Sequence, residues 1–130
     1  AKASEFVGEA KGRAIPLKVS APFHCALMKP AADRVRDALG AIEARDAKTA
    51  VVANFDATPN TSGARAKELL VSQVAGAVRW EQSIRAMIEG GVTTFVEIGP
   101  GKVLAGLIKR IHKPAAQYLI ANIELEVFYV

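Results

Sequence analysis

The apolar positions of this chain follow two spacings, one typical of helices and the other of strands. Apolar residues three and four positions apart predict helices, at residues 1–11, from 25 or 27 to about 44, 64–75, 80–89 and 103–112. Short apolar, β-prone runs predict strands, at residues 14–19, 50–55, 93–98 and 117–123. Because the strands alternate with helices, the pattern predicts an α/β fold with a mostly parallel sheet.

The composition is that of one globular domain with no membrane segment. Of the 130 residues, 51% are apolar, which is too many for a disordered chain. The longest apolar runs are far shorter than a membrane span. No basic-then-apolar leader is visible in these residues, so we do not expect a signal peptide. The single cysteine excludes an internal disulfide and fits a reducing compartment. We therefore expect a cytoplasmic protein that does not contact membranes.

The charge gives only a weak indication of a partner. A formal net charge of +4 is compatible with an acidic partner and equally with an ordinary basic surface. No run of lysine and arginine is interleaved with aromatic residues, so the sequence does not predict nucleic-acid binding.

His24 is the strongest candidate for a catalytic group. It lies in a predicted loop between a strand and a helix, where α/β proteins often place functional side chains. Imidazole titrates near neutral pH, so it can take a proton from a hydroxyl and later return it. From spacing alone, a histidine that only packs or caps the loop is an equally good interpretation. His112 is better explained as a charge that suits the C-terminal end of a helix.

Three other features have a structural interpretation that we prefer to a chemical one. Cys25 adjoins His24, but neighbouring side chains of an extended segment point in opposite directions, which favours a buried, unreactive cysteine. Two histidines and one cysteine without a repeated spacing do not predict a metal site. The turn at residues 99–101 (GPG) joins a strand to a helix and is open to an anion, but its glycine pattern is incomplete. A nucleotide-binding module that uses this turn therefore remains an alternative.

Three longer segments together resemble one enzyme family. Residues 19–33 (VSAPFHCALMKPAAD), 70–80 (LVSQVAGAVRW) and 95–111 (FVEIGPGKVLAGLIKRI) resemble segments of the bacterial malonyl-CoA:acyl carrier protein transacylases. They occur in the family's order and at a similar spacing, and with the strand at 51–55 they cover roughly residues 1–123. Three long matches in order are much more specific than one short motif.

The resemblance implies the C-terminal part of an α/β-hydrolase-like acyltransferase domain with a mostly parallel sheet. Residues 1–18 would be the last helix and strand of a small ferredoxin-like subdomain, and residues 19–130 would belong to the large subdomain.

The resemblance also implies a transferase reaction in fatty acid or polyketide synthesis. A serine attacks the malonyl thioester of coenzyme A, and the phosphopantetheine thiol of acyl carrier protein then takes the malonyl group. His24 would be the general base and acid, and the backbone carbonyl of Gln73 would bind the other imidazole nitrogen. Phe23 would contact the acyl group and favour malonyl over methylmalonyl. The family implies that malonyl-CoA and acyl carrier protein are the partners and that the complete protein is a monomer. It implies no cofactor and no metal.

Several features of the family are not found in these residues. They are the serine elbow (Gly-His-Ser-x-Gly), the arginine that binds the malonyl carboxylate and the glutamine of the oxyanion hole, all of which precede this region in the family. The last residues, 124–130, also depart from the family pattern. We therefore expect a C-terminal portion that is inactive by itself and poorly folded, because the strands at 51–55 and 95–98 are apolar on both faces. An inactive homologue that docks acyl carrier protein remains a further alternative.

Overall fold

The computed structural model describes residues 2–16, 19–99, 101–114 and 116–120. In chain order its elements are α1 (Lys2–Glu9), a short 3₁₀ helix (Ala26–Met28), α2 (Lys29–Gly40), β1 (Val51–Val52), β2 (Pro59–Asn60), α3 (Gly63–Ala75), α4 (Trp80–Glu89), β3 (Thr94–Ile98), α5 (Val103–Ile111) and β4 (Ala116–Ile120). Helices and strands are both present, as the α/β prediction requires. Residues 124–130, which depart from the family pattern, lie outside the described residues, as do the last three positions of the strand predicted at 117–123.

The predicted helix after His24 forms in two parts and ends early. A 3₁₀ turn leads into α2, and Pro30 lies in the first turn of α2, where its missing N–H would have had no helical partner. The helix ends at Gly40 rather than near residue 44, because glycine is a poor helix former. Ile42, which the periodicity placed on the apolar stripe, therefore lies beyond the helix and is 54% exposed.

The strand predictions in the first half of the chain are wrong in extent. Residues 14–16 and 19, the described part of the first predicted strand, are not in a strand, and Pro16 has no N–H to donate to one. Of the run at 50–55, only Val51 and Val52 pair, antiparallel to Asn60 and Pro59. Val51 is 59% exposed, so the described residues do not cover both faces of this run.

Within the described residues the strands form two separate two-stranded sheets, so a single, mostly parallel sheet is not seen there. The pair β3 and β4 is parallel, with its register running from Thr94 opposite Ala116 to Ile98 opposite Ile120. Helix α5 connects the two strands and packs against both, as a parallel connection requires.

The best-packed core lies between α4, α5 and β3. Ile84 is 1% exposed and Ile108 is 5% exposed, and Trp80 and Phe95 pack against them. The side chains come from neighbouring elements of the chain, so this core forms within the second half of the protein.

Helices α2 and α3 pack side by side, and the 3₁₀ turn in front of α2 also packs against α3. Ala32 of α2 and Leu69 of α3 are buried. Ser62 caps α3 by accepting the backbone N–H of Arg65, and Asp46 accepts the N–H of Gly63 at 2.9 Å. This packing brings the loop that contains His24 to the C-terminal end of α3.

Many large apolar side chains lie on the surface of the described chain. Helix α1 has no buried residue, and Val51, Leu70, Val96 and Ile98 are each at least 45% exposed. None of the helices in the described part of the chain has the length and apolar character that a membrane span requires.

Candidate active site

His24 lies in a tight turn between residue 19 and the 3₁₀ helix. The N–H of Phe23 donates to the carbonyl of Ala21 at 2.9 Å, and the thiol of Cys25 donates to the carbonyl of Pro22 at 3.1 Å. His24 itself has φ of +57°, in the left-handed region that side chains other than glycine rarely adopt. Such a conformation costs about 1–3 kcal/mol, and residues that adopt it are often found at functional sites.

The ring of His24 is held at one nitrogen by a residue far away in the sequence. Its Nδ1 lies 3.0 Å from the carbonyl oxygen of Gln73, which is 49 positions further along the chain. Gln73 lies in the last turn of α3, where carbonyl groups have no helical partner and are available to other donors. The structure thus brings together the two residues that the sequence singled out for the catalytic site.

The partner of Nδ1 determines which nitrogen of His24 carries the proton. A carbonyl oxygen only accepts hydrogen bonds, so the contact with Gln73 requires a proton on Nδ1. In the neutral ring Nε2 then has a free lone pair. His24 is exposed to solvent, so this nitrogen can reach an incoming hydroxyl or thiol.

The residues on either side of His24 lie in different surroundings. Phe23 is 53% exposed, so it is not a core side chain of the described chain. Cys25 is half-buried rather than fully buried, which corrects that expectation, and its thiol faces Pro22 instead of the imidazole. The structure therefore does not form a thiolate–imidazole pair at this position.

Part of the N-terminal end of α5, next to the turn at 99–101, is already occupied by a carboxylate; Pro100 itself is outside the described residues. The carboxylate of Glu97 accepts the backbone N–H of Leu104 at 3.1 Å and that of Ala105 at 2.8 Å. These are first-turn N–H groups of α5, which a phosphate would otherwise use. A carboxylate at this position stabilises the helix and repels a further anion.

Two further expectations from the sequence concern His112 and metal binding. His112 is the C-terminal cap residue of α5, and its N–H donates to the carbonyl of Ile108 at 2.8 Å. Among the residues that the structure describes, no group of histidine, cysteine and carboxylate side chains is arranged to hold a metal ion.

The sequence did not predict an open, apolar cavity of about 460 Å³ beside Gln73. Val52 and Leu69 contribute to its wall, with Asn54 and Trp80. Asn54 Oδ1 and Trp80 Nε1 are buried without a hydrogen-bond partner in the described part of the chain, and such atoms are rare in native proteins. The one signal in the sequence was an asparagine in an otherwise apolar run.

Comparison with known proteins gives consistent results, although no family model matches the chain. The chain is 50% identical over 101 residues to malonyl CoA-acyl carrier protein transacylase of Bacillus subtilis, which is 78% of this chain and 32% of that protein. Its fold is similar to the crystal structure of the acyl-carrier-protein S-malonyltransferase of Burkholderia pseudomallei, with a TM-score of 0.87 and a sequence identity of 43%. The match covers 92% of this chain and 39% of the other.

A third similar structure is a complex of a type II PKS acyl-carrier protein with its malonyl-transacylase. Its identity to this chain is 42% and the TM-score is 0.78, over 88% of this chain and 37% of the other. The chain thus spans about a third of the length of the curated relatives it matches. The resemblance found in the sequence is confirmed: in sequence and in fold, this chain is homologous to one part of the malonyl CoA-acyl carrier protein transacylases.

Proposed function

We propose that this chain supplies the catalytic base of an [acyl-carrier-protein] S-malonyltransferase. The observation that carries the proposal is the 3.0 Å contact between Nδ1 of exposed His24 and the carbonyl oxygen of Gln73. This contact fixes the tautomer and the orientation of the ring, which is the role of the carboxylate in a serine–histidine–carboxylate triad.

The proposed reaction is a ping-pong transfer of the malonyl group. Nε2 of His24 takes the proton of a serine hydroxyl as its oxygen attacks the thioester carbon of malonyl-CoA. The tetrahedral intermediate collapses, the carbon–sulfur bond breaks, and the imidazolium protonates the departing thiolate of coenzyme A. In the second half the phosphopantetheine thiol of acyl carrier protein gives its proton to Nε2 and attacks the seryl ester. The carbon–oxygen bond breaks and the imidazolium returns the proton to the serine oxygen. His24 is then back in its starting state, and the chemistry needs no cofactor or metal.

In this proposal the serine comes from a part of the enzyme outside this chain. Within the described residues, no hydroxyl or thiol group forms a hydrogen bond with the ring of His24. The proposed division assigns residues 1–18 to a small ferredoxin-like subdomain and residues 19–130 to the large α/β-hydrolase-like subdomain. The lack of any buried residue in α1 supports a division of this kind.

The apolar cavity beside Gln73 is the proposed contact surface for the rest of the transacylase. The relatives are about three times as long as the matched region, so most of their fold lies outside it. A strand and a helix packed over Val51 and Leu70, which line the cavity and are each at least 45% exposed, would bury the apolar wall and offer partners to Asn54 and Trp80.

The experiment that tests the proposed function joins this chain to the remainder of a relative. In the Bacillus subtilis transacylase, the part that aligns with this chain is replaced by it, and malonyl transfer from malonyl-CoA to acyl carrier protein is measured. We expect transfer by the chimera and none by the Bacillus subtilis remainder alone. A folded chimera that transfers no malonyl group would contradict the proposal and favour the inactive carrier-docking homologue.

Phe23 is the proposed determinant of acyl choice, because it is exposed and directly precedes His24. In the chimera, Phe23→Ala should raise kcat/KM for methylmalonyl-CoA relative to malonyl-CoA by about 10–100-fold, since a ring that blocks one methyl branch discriminates by that order. Phe6→Ala is the matched control, because Phe6 is also exposed but lies on α1. An unchanged ratio in Phe23→Ala would remove this role.

The similar complex supports an acyl carrier protein as the acceptor, because its malonyl-transacylase binds such a protein. The cytoplasmic location and the monomeric state belong to the same proposal and rest on the family alone. The alternative of a nucleotide-binding module lacks support, since the carboxylate of Glu97 already binds the first-turn N–H groups of α5.

A further inference from the structure

The carbonyl of Gln73 is available to His24 only because α3 ends where it does. If the helix continued, the N–H of Ala77 would donate to the carbonyl of Gln73, because each helical N–H binds the carbonyl four residues earlier. Instead the helix ends at Ala75 and Gly76 is extended, with φ of −95° and ψ of 156°. No backbone N–H in the described part of the chain binds the Gln73 carbonyl, which has His24 as its partner.

The chain after α3 is held against the turn that follows β1. The N–H of Arg79 donates to the carbonyl of Asn54 at 2.7 Å, and the ring of Phe55 lies against Gly76. The turn is tied to α3 on its other side by the ion pair between Arg65 and Asp56, at 3.2 Å. These contacts direct the chain away from the axis of α3 at Gly76.

Gly76 is needed for this arrangement because of space, not because of its backbone angles. Its φ is open to any amino acid. A Cβ atom at this position, however, would lie 2.6 Å from Cε2 of Phe55 and 2.9 Å from the carbonyl oxygen of Ser72. Real Cβ atoms are not found so close to other heavy atoms, so the ring or the backbone would have to move.

We propose that Gly76 and Phe55 are a matched pair of positioning residues, which keep the carbonyl of Gln73 free and in place for Nδ1 of His24. The inference rests on the proposed function as far as catalysis is concerned, but its geometric part does not depend on it. Neither residue takes part in the reaction, and both act through Gln73.

The substitution Gly76→Ala should disturb the hydrogen bond that orients the ring of His24. The added methyl group would push residues 76–79 away from Phe55, and alanine, the best helix former, would favour one more helical turn. The N–H of Ala77 would then compete with His24 for the carbonyl of Gln73. His24 would lose the acceptor that keeps its proton on Nδ1, and Nε2 would be protonated in part of the neutral molecules.

Each of two substitutions, added to Gly76→Ala, should restore the contact between the Gln73 carbonyl and His24, and the two act by different routes. Phe55→Ala removes the two contacts with the ring and leaves only the one with the Ser72 carbonyl oxygen, so that residues 76–79 can return close to their place with a small shift. Ala77→Pro removes the competing N–H and disfavours a helical conformation at residue 76. Gly106→Ala in α5 is the matched control, because a Cβ there meets no atom within 4 Å.

The experiment measures the ¹⁵N chemical shifts of the His24 ring in the chimera, assigned with a His24→Gln variant. We expect the Nδ1–H tautomer in the wild type and in Gly106→Ala, a shift toward the Nε2–H tautomer in Gly76→Ala, and its reversal in both double variants. In parallel, kcat for malonyl transfer should fall about 10-fold in Gly76→Ala with little change in KM, as for the loss of one hydrogen bond.

Several outcomes would overturn the inference. One is a wild-type tautomer in Gly76→Ala, and another is a folded double variant that keeps the Nε2–H tautomer. If Gly76→Ala does not fold, the double variants decide the question by the same tautomer signal. A chimera that is inactive but shows the predicted tautomers would contradict the proposed function and leave the positioning pair supported.

Discussion

Replacing His24 by alanine in the chimera is expected to lower kcat for malonyl transfer by about 10²–10⁴-fold, the usual contribution of a positioned general acid–base. In the proposed mechanism the imidazole takes the serine proton and returns it to the leaving thiol, so its removal leaves these steps without an acid–base group. The loss should appear in both half-reactions, because the proposal assigns the same ring to the attack by serine and to the attack by the pantetheine thiol.

The half-reactions are measured separately, by rapid quench with labelled malonyl-CoA for the first and by release of the seryl ester to acyl carrier protein for the second. His112→Ala is the control, since His112 is the second histidine and lies at the C-terminal end of α5. We expect near wild-type kcat in that variant. Full malonyl transfer by His24→Ala would remove the proposed role of the residue.

Replacing Ile84 by alanine is expected to lower the free energy of unfolding by about 2–5 kcal/mol, the range for a large-to-small change in a packed core. Ile84 is 1% exposed and packs with Ile108 between α4, α5 and β3, so the lost methyl groups leave a cavity that the neighbours fill only in part. This core is separate from the packing of α2 and α3 that positions His24. The folded fraction of the variant should therefore keep its kcat.

The measurement is urea unfolding of the chimera, monitored by circular dichroism and by tryptophan fluorescence. Ile42→Ala is the matched control, because it is the same substitution at a position that is 54% exposed. Its expected cost is about 0.5 kcal/mol or less. Equal losses for the two variants would show that the second half of the protein is not organised around Ile84.

The helices of the second half were predictable to within about a residue because their signals are local. Ser62 lies in front of α3 as its cap, Gly76 follows the helix, and Gly90 follows α4. Each of these signals acts within a few residues, so a single sequence is enough to detect it. The end of α2 at Gly40 was missed because the apolar spacing continues to Ile42 while the helix does not.

The strand predictions agree better with the structure for β3 than for β1, although the partner of β1 lies closer in the chain. The pair of β3 and β4 is joined by α5, and its register could form around that one connection. The run at 50–55 has strand composition, but a strand needs a partner for its backbone groups, and within the described residues only Pro59 and Asn60 provide one. Composition therefore overestimated the length of β1.

The sequence by itself determined α3, α4 and α5, and through three matching segments it pointed to the family and to His24, Gln73 and Phe23 as candidate site residues. Local hydrogen bonding and side-chain identity are enough for such inferences. The resemblance also implied that the Gln73 carbonyl binds the imidazole, and the tertiary structure gives the geometry of this contact, at 3.0 Å across 49 positions. Only the tertiary structure showed that the carboxylate of Glu97 binds N–H groups at the N-terminal end of α5. It also showed that the ring of Phe55 lies against Gly76. These are contacts between segments distant in the chain or between particular atoms, and they depend on how helices pack and end, which no local pattern encodes.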